Sequence, residues 1–198
     1  MINKILFRIN KLLKRDIVPG IAEKRGVIDE TRKVYKPYLF VETGTFLGDT
    51  VEYFKSKFDA VISIELSEEL AVKATKRFSS DQNVTIIQGD SSIVLKTIVD
   101  SLKGPALFWL DGHYSSSFYV KDEFIQTAKG ELNTPILKEL DIIFQSRFKP
   151  VVLIDDARLF NGKDDYPTIK SIKAKIRSYQ GEHKVYVKKD IIHIIPGE

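Results

Sequence analysis

The sequence predicts an α/β domain in which a mostly parallel sheet is covered by helices on both faces. Short apolar runs rich in β-branched residues alternate with segments of helical periodicity, which is the pattern of strands joined by helices. The runs are apolar at consecutive positions, as expected of strands buried on both faces. The chain has 198 residues and no cysteine. We therefore expect one domain with a short extension, and a disulfide framework or a thiolate metal site is excluded.

Five parallel strands are predicted at residues 38–42, 60–65, 84–88, 106–110 and 150–154. Helical patterns lie between them at about 47–57, 67–78, 91–102 and 135–147, and a further helix follows Pro167. The end of the chain, 184–188 and 191–195 around Lys189 and Asp190, is typical of an antiparallel hairpin. Together these elements predict a doubly wound, seven-stranded sheet.

The basic charge is concentrated at the N-terminus. Residues 1–36 hold ten Lys or Arg against four acids, which leaves a net charge of −2 for residues 37–198 out of the total of +4. We interpret residues 1–36 as a basic helical extension and residues 37–198 as the functional domain. The first fifteen residues have the spacing of an amphipathic cationic helix, which would lie on an anionic membrane surface, on its own domain or on a second subunit as a homodimer contact.

Neither a membrane span nor a signal peptide is evident, so we expect a cytoplasmic protein, with contact of residues 1–15 at the inner face of the membrane as the alternative. Nucleic acid is not favoured as a partner, because the domain after residue 36 is slightly acidic and has no basic stripe with interleaved aromatic residues.

Polar residues and glycines follow each predicted parallel strand. In an open parallel sheet, ligands bind beyond the carboxyl ends of the strands. Any one of these acids could simply cap a helix, but five such clusters in register predict a site. The clusters are Glu42-Thr43-Gly44, Glu65, Gly89-Asp90, Asp111-Gly112-His113 and Asp155-Asp156.

The order of these motifs resembles that of class I S-adenosylmethionine-dependent methyltransferases, which have a Rossmann-like sheet. The resemblance rests on Glu42-x-Gly44-x-x-x-Gly48, on Glu65, on Gly89-Asp90 and on Leu110-Asp111-Gly112, and it covers residue 38 to about 195. Phe46 stands where the family pattern has a further glycine. The resemblance implies S-adenosylmethionine as cofactor, held by Glu42, Thr43, Gly44, Thr45, Gly48, Glu65, Leu66, Gly89, Asp90, Ser91 and Asp111.

Three acids are predicted to converge where the fourth and fifth strands end. Like charges as close as Asp111, Asp155 and Asp156 need a cation, and oxygen ligands favour Mg²⁺, Mn²⁺ or Ca²⁺. The arrangement is similar to that of the metal-dependent O-methyltransferases of the catechol and sugar types. The class I resemblance places Asp111 and His113 at the reaction, as candidate catalytic residues. His113, whose unperturbed pKa is about 6.5, could accept the proton of the acceptor hydroxyl, and a structural role is the alternative.

We therefore expect O-methylation of a small or carbohydrate-like acceptor, assisted by Mg²⁺. The long connection from Asp111 to Asn133 carries aromatic and hydroxyl residues that suit a sugar, and it could equally form a dimer contact. Two other functions stay open: a metal-dependent hydrolase or phosphotransferase built on the same acids, and a non-catalytic binding module of the same fold.

Overall fold

The computed structural model describes residues 18–114, 117–120, 123–126, 128, 130, 132–179 and 181–197. The predicted amphipathic helix at 1–15 lies outside the described residues, as do residues 115, 116, 121 and 122 of the long connection. Within the described residues, no helix is long and apolar enough to cross a membrane.

The strands are β1 Leu39–Thr43, β2 Ala60–Glu65, β3 Val84–Gln88, β4 Ala106–Leu110, β5 Ser117–Val120, β6 Glu123–Gln126, β7 Val151–Ile154, β8 His183–Lys188 and β9 Ile191–Pro196. The helices are α1 Ile21–Tyr35, α2 Asp49–Phe54, α3 Glu68–Arg77, α4 Ser91–Asp100, α5 Ile136–Ile143 and α6 Ile169–Ser178, with a short 3₁₀ helix at Ala157–Leu159.

Seven strands form one sheet in the order β3-β2-β1-β4-β7-β9-β8. The first five strands in that order are parallel, and β9 runs antiparallel to both β7 and β8. The predicted fold class, a doubly wound sheet with a C-terminal hairpin, is confirmed. Thr43 pairs with Ile64 and with Leu110, and Leu110 pairs with Ile154, so β1, β2, β4 and β7 end level with one another.

The sheet is buried on both faces, as its apolar strands predict. Along β1, Leu39 and Val41 belong to one core cluster and Phe40 to the other. The first cluster holds residues of α4, α5 and α6: Leu95, Ile98, Leu140, Ile143, Ile172 and Ile176. The second holds residues of α1, α2 and the segments that follow α2 and α3: Val27, Ile28, Val51, Phe54, Phe58 and Phe78.

Part of the long connection after β4 is a β-hairpin rather than a loop. Strand β5 pairs with β6 from Ser117 opposite Gln126 to Val120 opposite Glu123. The sequence gives only a weak indication of this hairpin. Two short runs with aromatic and β-branched residues are separated by two residues, but these are Lys121 and Asp122 rather than a glycine-containing pair typical of tight hairpins.

Helix α1 lies in the segment interpreted above as an extension, yet it packs on the sheet. Ile28 is 1% exposed and Ile21 of the same helix is 56% exposed. The division of the chain at residue 36 stays a prediction.

These two isoleucines provide a matched test of how α1 packs. Truncation of a buried isoleucine removes apolar contacts and leaves a cavity, so Ile28→Ala should lower the free energy of unfolding by about 2–4 kcal/mol. Ile21→Ala should change it by less than about 0.5 kcal/mol. Urea denaturation of both variants measures the difference, and equal effects would contradict the packing of α1.

Candidate functional site

A cavity of about 240 Å³ opens at the carboxyl ends of β1 to β4. Seven of the predicted cofactor residues line it: Gly44, Glu65, Leu66, Gly89, Asp90, Ser91 and Asp111. The cavity also has walls that the sequence analysis did not assign to it, formed by Phe46, Leu70, Ser92, Asn133, Pro135 and Lys138. Gly112, His113 and Tyr114 line it too, as does the end of the long connection through Ala128, Gly130 and Leu132.

The other predicted cofactor residues lie behind the cavity wall. Glu42, Thr43, Thr45 and Gly48 are not among the residues that line the cavity. Glu42 is 2% exposed and accepts a hydrogen bond of 2.6 Å from Ser63 Oγ, which lies 2.6 Å from Thr45 Oγ1. These side chains therefore support the turn after β1 from beneath.

The turn after β1 needs glycine at its first position. Gly44 has a φ of +87°, and a Cβ there would lie 2.6 Å from the carbonyl oxygen of Asp111. Phe46 also has a positive φ, of 50°, so it adopts the left-handed conformation although it stands where the family pattern has a glycine. This conformation accompanies a 2.8 Å hydrogen bond from the Phe46 backbone N–H to Glu65 Oε2.

Glu65 is held in place by backbone donors from two directions. Its Oε2 accepts from Phe46, and its Oε1 accepts from the Ser67 N–H at 2.9 Å. The side chain does not cap α3, because Ser67 Oγ takes that role at the Leu70 N–H. A carboxylate has about four acceptor positions, so Glu65 keeps free lone pairs at the cavity wall.

Asp90 combines the two roles that the sequence left open. Its Oδ1 accepts from the Ser92 N–H at 2.8 Å as the N-cap of α4, and the residue lines the cavity. Beside it, Ser91 Oγ donates to Glu139 Oε1 at 2.6 Å. Burial raises the pKa of Glu139 to about 7, so this hydrogen bond joins α4 to a carboxyl group of α5 that is largely protonated below neutral pH.

The acids of β4 and β7 converge on His113. Its Nδ1 lies 3.4 Å from Asp111 Oδ1, and its Nε2 lies 3.4 Å from Asp156 Oδ2. Burial lowers the pKa of His113, which keeps the imidazole neutral near pH 7. Burial and the charge of Asp155 raise the pKa of Asp111 well above its usual range.

Lys24 of α1 forms ion pairs with the two acids that follow β7, and no pattern in the sequence marks it as a site residue. Its Nζ lies 2.6 Å from Asp155 Oδ2 and 2.9 Å from Asp156 Oδ1. Arg158 Nη1 also lies 2.7 Å from Asp156 Oδ1 and contacts Asp190. Burial raises the pKa of Asp155 to about 6 against the influence of Lys24. Burial would also raise the pKa of Asp156, but Arg158 and Lys24 lower it.

The predicted metal site at Asp111, Asp155 and Asp156 is not supported by this arrangement. The Lys24 ammonium group already forms an ion pair with both Asp155 and Asp156. Across the part of the chain that the structure describes, no group of three or more His, Asp or Glu side chains is arranged to hold a metal ion.

A second cavity, of about 160 Å³, lies beside the first one. Asp111 lines both cavities. The second is walled by α1 and the start of α2 on one side and by the ends of β4 and β7 on the other, through Lys24, Arg25, Thr50, Trp109 and Asp155.

The pKa of Glu42 predicts a pH dependence of stability. Burial raises this pKa from 4.5 to about 8. The folded state thus keeps a proton that the unfolded chain releases, so the stability that Glu42 contributes is complete below pH 4.5 and is lost as the pH rises through 8. Relative to a Glu42→Gln variant, the wild type should lose up to about 1.4 kcal/mol of unfolding free energy per pH unit over this range.

Urea denaturation of both proteins from pH 4.5 to 8.5 measures this difference. Glu52→Gln is the matched control, because Glu52 has a side chain that is 45% exposed. Its curve should run parallel to that of the wild type. A parallel curve for Glu42→Gln would contradict the raised pKa.

Comparison with known proteins gives a likeness of structure but none of sequence. No family model matches the chain, and no curated protein matches it. Among solved structures, the chain is similar to a caffeoyl-CoA O-methyltransferase candidate from Staphylococcus aureus, with a TM-score of 0.59 at 14% identity over 98% of this chain and 91% of that one.

Two further structures show how wide this likeness is. TomG, an O-methyltransferase of tomaymycin synthesis from Streptomyces achromogenes in complex with SAM, gives a TM-score of 0.58 at 13% identity over 95% of this chain and 86% of that one. The 23S rRNA methyltransferase ErmE gives 0.54 at 12% identity over 91% and 70%. The chain therefore has the fold of the S-adenosylmethionine-dependent methyltransferases that its motifs resemble.

Proposed function

We propose that this protein is an S-adenosylmethionine-dependent methyltransferase that acts on a hydroxyl group of a small or carbohydrate-like acceptor. The observation that carries the proposal is the position of Glu65. Its carboxylate lies at the end of β2, is fixed by two backbone N–H groups and lines the 240 Å³ cavity. A fixed carboxylate with free lone pairs is suited to accept hydrogen bonds from both hydroxyls of a ribose.

The rest of the cavity fits the other parts of S-adenosylmethionine. Asp90, Ser91 and Leu70 lie on the side of β3 and α3, where they would contact the adenine. Gly44 and Asp111 lie on the side of β1 and β4, where the methionine part would bind. Glu42, Thr43, Thr45 and Gly48 would act indirectly, by holding the turn. When bound, the cofactor supplies a methyl group on a positively charged sulfur.

His113 is the residue that we propose as the proton acceptor. An imidazole nitrogen of His113 would take the proton of the acceptor hydroxyl, while the cofactor would supply the methyl group to the acceptor oxygen and leave as a neutral thioether. Burial keeps the imidazole neutral and able to accept this proton. The carboxylate of Asp156, 3.4 Å from Nε2 of the ring and kept ionised by Arg158 and Lys24, would stabilise the imidazolium that forms.

Oxygen as the methyl acceptor is supported by the names of two of the structural neighbours, which are described as O-methyltransferases. The acceptor would enter beside Asp111 and His113, beneath the long connection that ends in the cavity wall. We also expect that residues 1–15 contact a membrane surface, that the protein forms a homodimer, and that the functional domain begins after residue 36.

The proposed mechanism does not use Mg²⁺, because Lys24 already pairs with Asp155 and Asp156.

Glu65 provides the test of cofactor binding. Glu65→Ala removes hydrogen bonds to a charged acceptor, each of which contributes about 1.5–3 kcal/mol, so the affinity for S-adenosylhomocysteine should fall about tenfold to a hundredfold. Isothermal titration calorimetry with the full chain measures the dissociation constant. Glu69→Ala is the matched control, because Glu69 lies four residues further on with a side chain that is 77% exposed, and its affinity should not change.

Two results would contradict the proposal. One is the absence of binding heat for the wild type at millimolar S-adenosylhomocysteine. The other is an unchanged affinity in Glu65→Ala, which is also what a hydrolase or phosphotransferase built on the acids of β4 and β7 would give. The melting temperatures of both variants, measured in parallel, distinguish loss of binding from loss of folding.

A further inference from the structure

The cation that the acidic pair of β7 needs is part of the chain itself. Lys24 Nζ lies within hydrogen-bond distance of one oxygen of Asp155 and one oxygen of Asp156. The three side chains are largely shielded, with exposed fractions of 17% for Lys24, 4% for Asp155 and 12% for Asp156. A buried ion pair is maintained only when its partners are hydrogen-bonded as well, and both acids meet that condition here.

Lys24 already pairs with one oxygen of each carboxylate to which a divalent ion would bind. Mg²⁺ and Ca²⁺ bind carboxylate oxygens at about 2.0–2.6 Å. An ion bridging Asp155 Oδ2 and Asp156 Oδ1 would therefore compete with the Lys24 ammonium group, which lies 2.6 and 2.9 Å from these atoms. The two cations would also repel each other, so a bound metal ion would require Lys24 to leave.

The side chain of Arg158 completes the balance of charge. It contacts Asp156 at 2.7 Å and also contacts Asp190, in the turn between β8 and β9. The backbone N–H of Arg158 donates to Asp190 Oδ1 at 2.8 Å, so the turn fixes the position of the guanidinium group. Two single positive charges from the chain thus face the acidic pair where one doubly charged ion would otherwise serve.

We propose that Lys24 is a built-in substitute for a divalent metal ion. Its ammonium group neutralises Asp155 and Asp156, keeps Asp156 oriented beside His113, and makes this side of the site independent of metal. Lys24 is thus a positioning residue, and it makes α1 a part of the site. The inference concerns the acceptor side of the proposed transferase and rests on that function, but its test does not depend on cofactor binding.

The test is a titration of the full chain with Mn²⁺, in which electron paramagnetic resonance measures the concentration of free Mn²⁺ at each step. The wild type should take up no Mn²⁺ at this site up to about 1 mM. Lys24→Ala leaves the acidic pair without its ammonium group and should gain one Mn²⁺ site. A second substitution, Asp155→Asn in the Lys24→Ala background, should abolish that site. Lys33→Ala is the matched control, because Lys33 is a 65% exposed lysine of the same helix, and it should bind no more Mn²⁺ than the wild type.

Thermal unfolding gives a second measurement. Ligands that bind only the folded state stabilise it, so 5 mM MgCl₂ or MnCl₂ should raise the melting temperature of Lys24→Ala by several degrees and leave that of the wild type unchanged. Lys24→Arg retains a cation and should behave like the wild type in both measurements. If Lys24→Ala does not fold without added ion, its folding in the presence of Mn²⁺ supports the proposal.

Either of two results would overturn the proposal. In one, the wild type binds Mn²⁺ below about 1 mM and loses that binding in Asp155→Asn, which means that an ion displaces Lys24. In the other, Lys24→Ala folds but binds no Mn²⁺ and is not stabilised by it. Neither result alters the affinity for S-adenosylhomocysteine, so failure of this inference is distinguishable from failure of the proposed function.

Discussion

The candidate site depends on the register of four neighbouring parallel strands. Because Thr43 pairs with both Ile64 and Leu110, and Leu110 pairs with Ile154, these strands end at the same level. The next residues along the chain are polar or glycine, and they meet at one edge of the sheet although they are far apart in sequence. A shift of one strand by a single residue would exchange the side chains that pack on its two faces and would move the polar residues after the strand out of line with their neighbours.

The edge where the strands end holds more carboxyl groups than a buried region accommodates without compensation, and the chain compensates them in two ways. Glu42 and Glu139 are paired with the hydroxyl groups of Ser63 and Ser91, and burial raises their pKa values to about 8 and about 7. Asp156 faces cationic side chains instead, and these lower its pKa despite burial. Glu42 supports the turn after β1 and Glu139 joins α5 to α4, whereas Asp156 keeps a negative charge beside His113.

Much of this arrangement could be predicted from local patterns, because the strands and the polar residues after them follow one another directly along the chain. Lys24 could not, since it contacts acids about 130 positions further on and α1 buries few large apolar side chains that would have marked its face. The left-handed backbone conformation of Phe46 could not be predicted from the sequence either, because residues other than glycine rarely adopt it. The β5–β6 hairpin could not be predicted with certainty either, because its two short runs are separated by Lys121-Asp122 and not by a glycine-containing pair typical of tight hairpins.

A lysine in place of a metal ion changes what the other residues of the proposed site must do. A divalent ion acts as a Lewis acid that lowers the pKa of a bound hydroxyl group, whereas an ammonium group carries one charge and only donates hydrogen bonds. Removal of the acceptor proton would then fall on His113. Its environment suits that task, because burial lowers the pKa of His113 and so keeps the imidazole neutral and able to accept a proton. Asp156 beside it stays ionised through Lys24 and Arg158, and so would favour the imidazolium once it forms.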